Sequence, residues 1–472
     1  MIDVGVIGAG PAGLAAAHES SRHGAEVLVW EKLNQVGGLS RTTVRDGFRW
    51  DIGPHRFFTK SEEVRQLWLE TLGDELLSVP RLTRIRYGNR FFDYPLKPAG
   101  ALRGLGLTAC AAIAASYVGA RLRQMASPTR PRNFEEWVTL AFGSRLYETF
   151  FKGYTEKVWG IPCTRIGADW AAQRIKGLSL WTAAVNALFG PRRGQIKTLA
   201  DEFVYPRLGA GMMYERMAQR TQERRARVLL GCEVTEVRRE RDVVRSVVAE
   251  KRNGEGVEYE IGRLLSSAPL PELVQRIRPR APEEVLAAAH RLRYRAHLAV
   301  NLEVVGKPFP DNWIYVHSRD VRLARVADYG NFSDRMAQRA DRTPLTAEYF
   351  GFPGDDIWRR SDAELVALAE AELVRMGVLE REQVRSGFVV RSRQAYPVLE
   401  MGHQAPLSLV KRWLGTIRNL QTIGRGGMFK YNNQDHSIAT GLLAARTALG
   451  VGQYDPWVVN IDAEYHEAGE AG

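Results

Sequence analysis

The chain has 472 residues, 45% of them hydrophobic and 25% charged, with a net charge of +12. That composition excludes a disordered or fibrous chain and leaves room for more than one globular lobe. The positive balance points to anionic partners. Its basic clusters, Pro191-Arg192-Arg193 and Arg220 to Arg227, lack the interleaved aromatics of a nucleic-acid platform, so none is expected.

The first element runs from Val6 to Lys32 and reads as strand, glycine turn, helix and second strand. Gly8, Gly10 and Gly13 have the G-x-G-x-x-G spacing. Gly8 allows a tight turn, Gly10 lets a pyrophosphate approach, and Gly13 lets the helix pack close. The helix N-terminus offers free N–H groups to phosphates. Glu31, eighteen residues past Gly13, stands where a carboxylate accepts hydrogen bonds from a ribose. Next comes Asn34-Gln35-Val36-Gly37-Gly38-Leu39-Ser40-Arg41. The pair Gly37-Gly38, followed by Arg41, resembles the FAD-binding amine-oxidase-like superfamily, in which this segment wraps the pyrophosphate. The resemblance implies FAD rather than NAD.

A hairpin is expected from Arg84-Ile85-Arg86-Tyr87 through Gly88-Asn89 to Arg90-Phe91-Phe92-Asp93-Tyr94-Pro95. Residues 99 to about 200 read as helical, with one helix opening at Arg132 to Trp137. The uncharged stretch Leu107 to Ala120 is too short to span a bilayer. It reads as a packed helix. Membrane contact is not expected, with interfacial contact helped by flanking arginines as the alternative. Strand alternation returns over Val228 to Val248, Leu264 to Pro269, His297 to Val304 and Leu345 to Phe350. Asp362 to Met376 reads as an amphipathic helix, Leu420 to Arg425 as a last strand, and about Ser437 to Leu449 as a closing helix.

The fold class is therefore expected to be α/β. A Rossmann-like FAD lobe with a parallel sheet is split by an inserted helical lobe and a mixed-sheet substrate lobe. The expected divisions are 1–80, 201–275 and 406–472 for the FAD lobe, 81–200 for the hairpin and helical wall, and 276–405 for the substrate lobe. Val234 is expected in the second FAD segment. Cys110, Cys163 and Cys232 are too far apart to suggest a metal site, and a reducing, cytoplasmic setting fits them. No signal peptide is expected, since the sequence enters a strand without a charged leader.

Three further segments narrow the family. They are Asp51-Ile52-Gly53-Pro54-His55-Arg56-Phe57-Phe58-Thr59, the string Phe151-Lys152-Gly153-Tyr154-Thr155-Glu156-Lys157-Val158-Trp159-Gly160, and Ala395-Tyr396-Pro397-Val398-Leu399-Glu400 with Ile423 to Asn433. In this order they resemble the UDP-galactopyranose mutases over nearly the full length. The resemblance implies reduced FAD, with NAD(P)H as a candidate reductant, and no net oxidation. The reduced flavin attacks the anomeric carbon, and arginines hold the departing diphosphate.

Carried over residue by residue, the resemblance sets His55 near the flavin ring. It puts Tyr154, Trp159 and Tyr431 on the sugar or nucleotide cleft. Arg174 matches the start of the R-I-x-x-R segment and is expected to bind substrate, Arg325 falls on the diphosphate, and His55, Arg325, Tyr396 and Glu400 form the expected catalytic group. Arg425 matches the arginine that reaches the flavin pyrophosphate, and Gly424 and Met428 are expected to bind the cofactor with it. Each has a plainer reading as well: a satisfied buried histidine, core aromatics, a surface arginine. Three departures weaken the sugar half. Phe58 replaces a histidine, Leu178 replaces a phosphate-binding arginine, and Glu400 stands for an aspartate. Losing one bidentate arginine–phosphate contact removes a strong, directional interaction, and Lys176 is a candidate substitute.

The resulting expectation is an enzyme acting on a phosphorylated or nucleotide-linked sugar, with a homodimer as a candidate assembly. The alternatives are an FAD-dependent oxidoreductase on an amine, alcohol or carbon–carbon bond, and a non-catalytic flavin-binding partner.

Overall fold

The computed structural model describes residues 1–94, 98–168, 170 and 202–460. Two large sheets organise them. The first runs, edge to edge, Ile277–Arg278, Cys232–Glu240, Val243–Lys251, Gly256–Ser266, Ile2–Ile7, Val27–Glu31 and Ala226–Leu230, with Leu420–Thr422 also paired to Gly256–Ser266. Ile2–Ile7 lies parallel to both Gly256–Ser266 and Val27–Glu31. Segments far apart in the chain thus complete one nucleotide-binding sheet. Helices Pro11–Arg22, Gly211–Gln222 and Gln434–Leu449 cover one side, sharing a core with Val4, Val6, Val27 and Val29. The fully buried strand Val27–Glu31 reads as a continuous apolar run, as parallel strands covered on both faces do.

The second sheet has the order Val384–Pro397, Tyr294–Val305, Arg342–Gly351, Arg325–Asp328, Trp313–Val316, Thr83–Tyr87 and Arg90–Asp93. The expected hairpin forms, and it extends this sheet through parallel pairing of Thr83–Tyr87 with Trp313–Val316. Tyr294–Val305 is buried on both faces up to Val304, so its alternation does not mark a solvent side.

A group of helices closes one end. Asn133 caps Phe134–Phe142 by accepting the Glu136 N–H at 2.9 Å. A π-helical turn, Tyr147–Lys152, leads into helix Gly153–Trp159, which carries the K-G-Y-T-E-K string. Leu107–Ala126 is indeed a helix, but Ala120 is its one buried residue. The expected packed helix is present, and it packs by a single face.

Candidate functional site

Gly8 ends the first strand at φ +93°, and a Cβ there would lie 2.3 Å from Ser267 Oγ. A Cβ on Gly13 would lie 1.8 Å from the Gly8 carbonyl oxygen. Both glycines are therefore demanded by the protein itself. Gly10 differs: its nearest neighbour to a Cβ is Gly38 Cα at an ordinary 3.7 Å, and its φ is −81°. Gly10 lines a cavity of about 480 Å³. Helix Pro11–Arg22 starts at that wall with proline in its first turn, so its free N–H groups face the same space.

The acid closes the turn. Glu31 accepts the Ala9 N–H at 2.8 Å on one oxygen and the Leu33 N–H at 2.9 Å on the other, leaving lone pairs on each. Gly37, at φ +98°, donates its N–H to the Ala9 carbonyl at 2.8 Å. That contact presses Gly38 against Gly10. Arg41 Nη1 donates to the Gly38 carbonyl at 2.6 Å. Burial lowers the Arg41 pKa, opposed by the charge of Glu31.

The opposite wall comes from Val234, Ser392, Gly424, Arg425 and the start of helix Gln434–Leu449. Gly424 has φ +72°, and a Cβ would meet Ala12 Cβ at 2.8 Å. The short helix Gly424–Met428 can thus lie against the first helix. Two polar atoms of this wall, Asn432 Nδ2 and Ser392 Oγ, are buried without a hydrogen-bond partner among the described residues. Buried donors left this way are met by ordered water or by a ligand in the cavity.

His55 and Arg425 stand where this cavity adjoins a second group of residues. Arg325 binds Glu348 through Nε and Nη2, both at 2.5 Å. His297 Nε2 reaches the same carboxylate at 2.8 Å. Burial alone would raise the Glu348 pKa, but Arg325 and His297 hold it down to about 2. The loop before His55 crosses this pair closely: a Cβ on Gly53 would meet Arg325 Nη2 and Glu348 Oε2 at 3.3 Å. Burial, then the charges of Arg425 and Arg325, push the His55 pKa down to about 3. Its imidazole is neutral at physiological pH.

Aromatic rings pack around Arg425 and this group. Tyr396 and Tyr431 stack at 5.5 Å, and Arg425 lies over both, 4.9 and 5.0 Å from the centroids. Trp159 packs edge-on to Tyr396 at 6.3 Å and against Tyr431 at 5.7 Å. Tyr154 stacks on His317 at 4.4 Å. Burial raises the pKa of Tyr154 and of Tyr396, so both phenols keep their protons.

A family model described as flavin containing amine oxidoreductase matches residues 11–424. The chain belongs to this family. It is an FAD-dependent enzyme, and its α/β fold is the family's. A probable UDP-galactopyranose mutase of Klebsiella pneumoniae is 27% identical over 169 residues, 35% of this chain and 42% of that protein. The chain therefore spans under half the length of this curated relative. A crystal structure of reduced UDP-galactopyranose mutase superposes with a TM-score of 0.84 at 21% identity, covering 98% of this chain and 97% of the other. A putative protoporphyrinogen oxidase of Exiguobacterium sp. 255-15 gives 0.71 at 18% identity, covering 93% and 98%. At these identities the two structures share the fold.

The residues present fit the family's cofactor. Gly10, Glu31, Gly38, Arg41, Val234 and Arg425 wall one cavity, and Gly10 has room for a Cβ that no protein atom forbids. FAD bound there would meet the helix N-terminus and Gly10 with its phosphates, Glu31 with a ribose, and the unpartnered Asn432 amide. Met428 is fully buried in the protein. Arg174, with Lys176 and Leu178, lies outside the described residues.

Of the expected substrate residues, the structure brings together Arg325, Tyr154, Trp159, Tyr396 and Tyr431 near His55. Glu400 is engaged by two arginines. Its carboxylate takes Arg165 Nε at 2.6 Å and Arg293 Nη2 at 2.8 Å. Part of the K-G-Y-T-E-K string also has structural work. Lys157 Nζ donates to the carbonyls of Val316, Ser318 and Leu323 at 3.0, 2.7 and 2.9 Å. Glu156 accepts the Cys163 N–H at 3.1 Å. Glu348, His297, Ser392 and the Asn432 amide were not singled out by sequence. An acid inside the apolar run Leu345 to Phe350 was the available signal for Glu348.

Proposed function

We propose that the chain carries out a redox-neutral ring isomerisation of a phosphorylated or nucleotide-linked sugar, using reduced FAD. The observation that carries this reading is the locked, cationic and aromatic-walled group beside His55. Glu348 engages two of the three Arg325 nitrogens, which fixes the guanidinium and leaves Nη1 to donate to a phosphate oxygen. Tyr154 and Tyr396, neutral by burial, can donate to hydroxyl or phosphate oxygens. Trp159 and the Tyr396–Tyr431 stack supply flat apolar surface for a sugar ring and exclude water. His55 is neutral, so it can donate or accept at a ring nitrogen without adding a charge. Reduced FAD, when bound, supplies the nucleophilic nitrogen of this chemistry.

A second reading is net oxidation of an amine, alcohol or carbon–carbon bond. The family's description and the carboxylate that neutralises Arg325 favour it. The two readings separate on electron balance. FAD-loaded protein is incubated with UDP-galactopyranose, with and without dithionite. The first reading predicts the furanose isomer in the reduced sample alone and no peroxide. Absence of any isomer, together with substrate-dependent peroxide or acceptor reduction by oxidised protein on an amine or alcohol panel, transfers the assignment to the second.

A further inference from the structure

Helix Leu107–Ala126 exposes one side to solvent. Leu107 is 76% exposed, Val118 53%, Leu122 61% and Met125 79%. With Ala111, Ala114 and Ala115 between them, these residues fall within roughly a third of the helix circumference at 3.6 residues per turn. The stripe runs about 27 Å at 1.5 Å per residue. Scattered exposed leucines need no explanation, but a continuous stripe does. The opposite side is occupied by Phe134–Phe142, and no helix among the described residues is long and apolar enough to cross a membrane.

Charge tells what covers the stripe. Arg121 and Arg123 flank it on either side, Arg103 lies before it and Arg130 beyond it. Between Tyr94 and Phe134 the chain has no Asp or Glu. A second copy of the chain fits poorly, because two-fold pairing of the stripe sets arginines against arginines with no acid between them. An anionic bilayer surface accepts both features: apolar side chains enter its interface and arginines meet its headgroups.

We propose that this face docks the protein peripherally on an anionic lipid surface, with helix Leu107–Ala126 lying in the interface plane. The proposal takes up the interfacial alternative that the sequence left beside the packed-helix reading, and it is independent of which reaction the site performs. A line of packed rings, Phe134 on Trp170 and Trp170 on Trp159, joins the helix packed against this face to the aromatic group beside His55.

The test uses the FAD-loaded full chain and two vesicle preparations, phosphatidylcholine alone and phosphatidylcholine with phosphatidylglycerol. Sedimentation is expected with the second at low salt and is lost at high salt. Leu122→Glu combined with Met125→Glu changes exposed positions, so the protein stays folded and yellow while partitioning falls on the order of tenfold or more. Arg121→Gln alone weakens it about fivefold. Wild-type protein left in the supernatant with anionic vesicles overturns the proposal. So does vesicle binding that the double variant leaves unchanged. A dimer in sedimentation velocity that the double variant dissolves, without vesicle binding, assigns the face to a second copy and also overturns it.

Discussion

The dinucleotide turn and the buried Arg325–Glu348 group beside His55, the cleft group, are built in different ways. Between Val6 and Gly38 most constraints are met by a residue a fixed number of positions away. Gly13 meets the Gly8 carbonyl and Glu31 meets the Ala9 and Leu33 N–H groups, while Gly8 alone answers to a distant residue, Ser267. The cleft is made by register. Arg325 and Glu348 are paired across neighbouring strands, His297 comes from the next strand over, and Gly53 arrives from a distant loop. Spacing writes the first site into the sequence, while sheet assembly produces the second.

The sharpest way to break the contrast is to remove the cleft's central charge. Glu348→Gln leaves Arg325 and His297 buried against a neutral amide. Unpairing a buried ion pair costs about 3–5 kcal/mol, read as a lower denaturant midpoint for the FAD-loaded protein. The sign with pH follows from the depressed acid. Its pKa falls from 4.5 to about 2 on folding, so its contribution is present above pH 4.5 and lost as pH falls toward 2. The variant should lose that part of the acid limb. An unchanged midpoint and acid limb would show that the three strands need no central carboxylate.

In the turn, the largest effect comes from Gly13→Ala. The added methyl meets a backbone oxygen at 1.8 Å, and neither partner is a flexible side chain. Helix Pro11–Arg22 must shift, with an overpacking cost of about 1–3 kcal/mol. FAD retention should fall with it, measured by absorbance of the purified protein. Retention of full colour and stability would mean that the turn tolerates a spacing that its geometry forbids.

These two sites also mark how much was legible beforehand. The α/β class, the hairpin, the helix opening within Arg132 to Trp137 and the closing helix follow from local pattern, and they are present, the last two as Phe134–Phe142 and Gln434–Leu449. The turn was legible because its ligand-facing groups are contiguous. Glu348 and His297 were hidden because their strands are buried on both faces, which removes the alternation that distinguishes inside from outside. The K-G-Y-T-E-K string mixed two jobs that sequence cannot separate. Tyr154 and Trp159 face the cleft group, whereas Lys157 ties its helix to three carbonyls of the second sheet. Glu400 looked catalytic by position, but two arginines that no local pattern predicts claim it.

Glu400→Gln tests that placement. Arg165 is 56% exposed and Arg293 46%, so loss of these pairs should cost no more than about 1 kcal/mol. Turnover on whichever substrate the isomerase and oxidase assays identify should change little. A drop of tenfold or more (about 1.4 kcal/mol of transition-state stabilisation) at unchanged stability would place this carboxylate in the chemistry and extend the cleft beyond His55.

The smallest structural change should separate protein from cofactor most cleanly. Gly10 has an ordinary φ, and a Cβ there meets no atom closer than 3.7 Å. Gly10→Ala should therefore leave the FAD-free protein within about 0.5 kcal/mol of its parent, because a poorer cap and a stiffer unfolded chain offset each other. The methyl nevertheless projects into the space assigned to the pyrophosphate. FAD affinity should fall by on the order of tenfold or more, equal to about 1.4 kcal/mol, in a titration of apoprotein followed by flavin fluorescence. Gly13→Ala must damage both readouts and Gly10→Ala only the second. If Gly10→Ala binds FAD as its parent does, the phosphates lie elsewhere in the cavity, and the orphaned Asn432 amide and Ser392 hydroxyl become the atoms to follow.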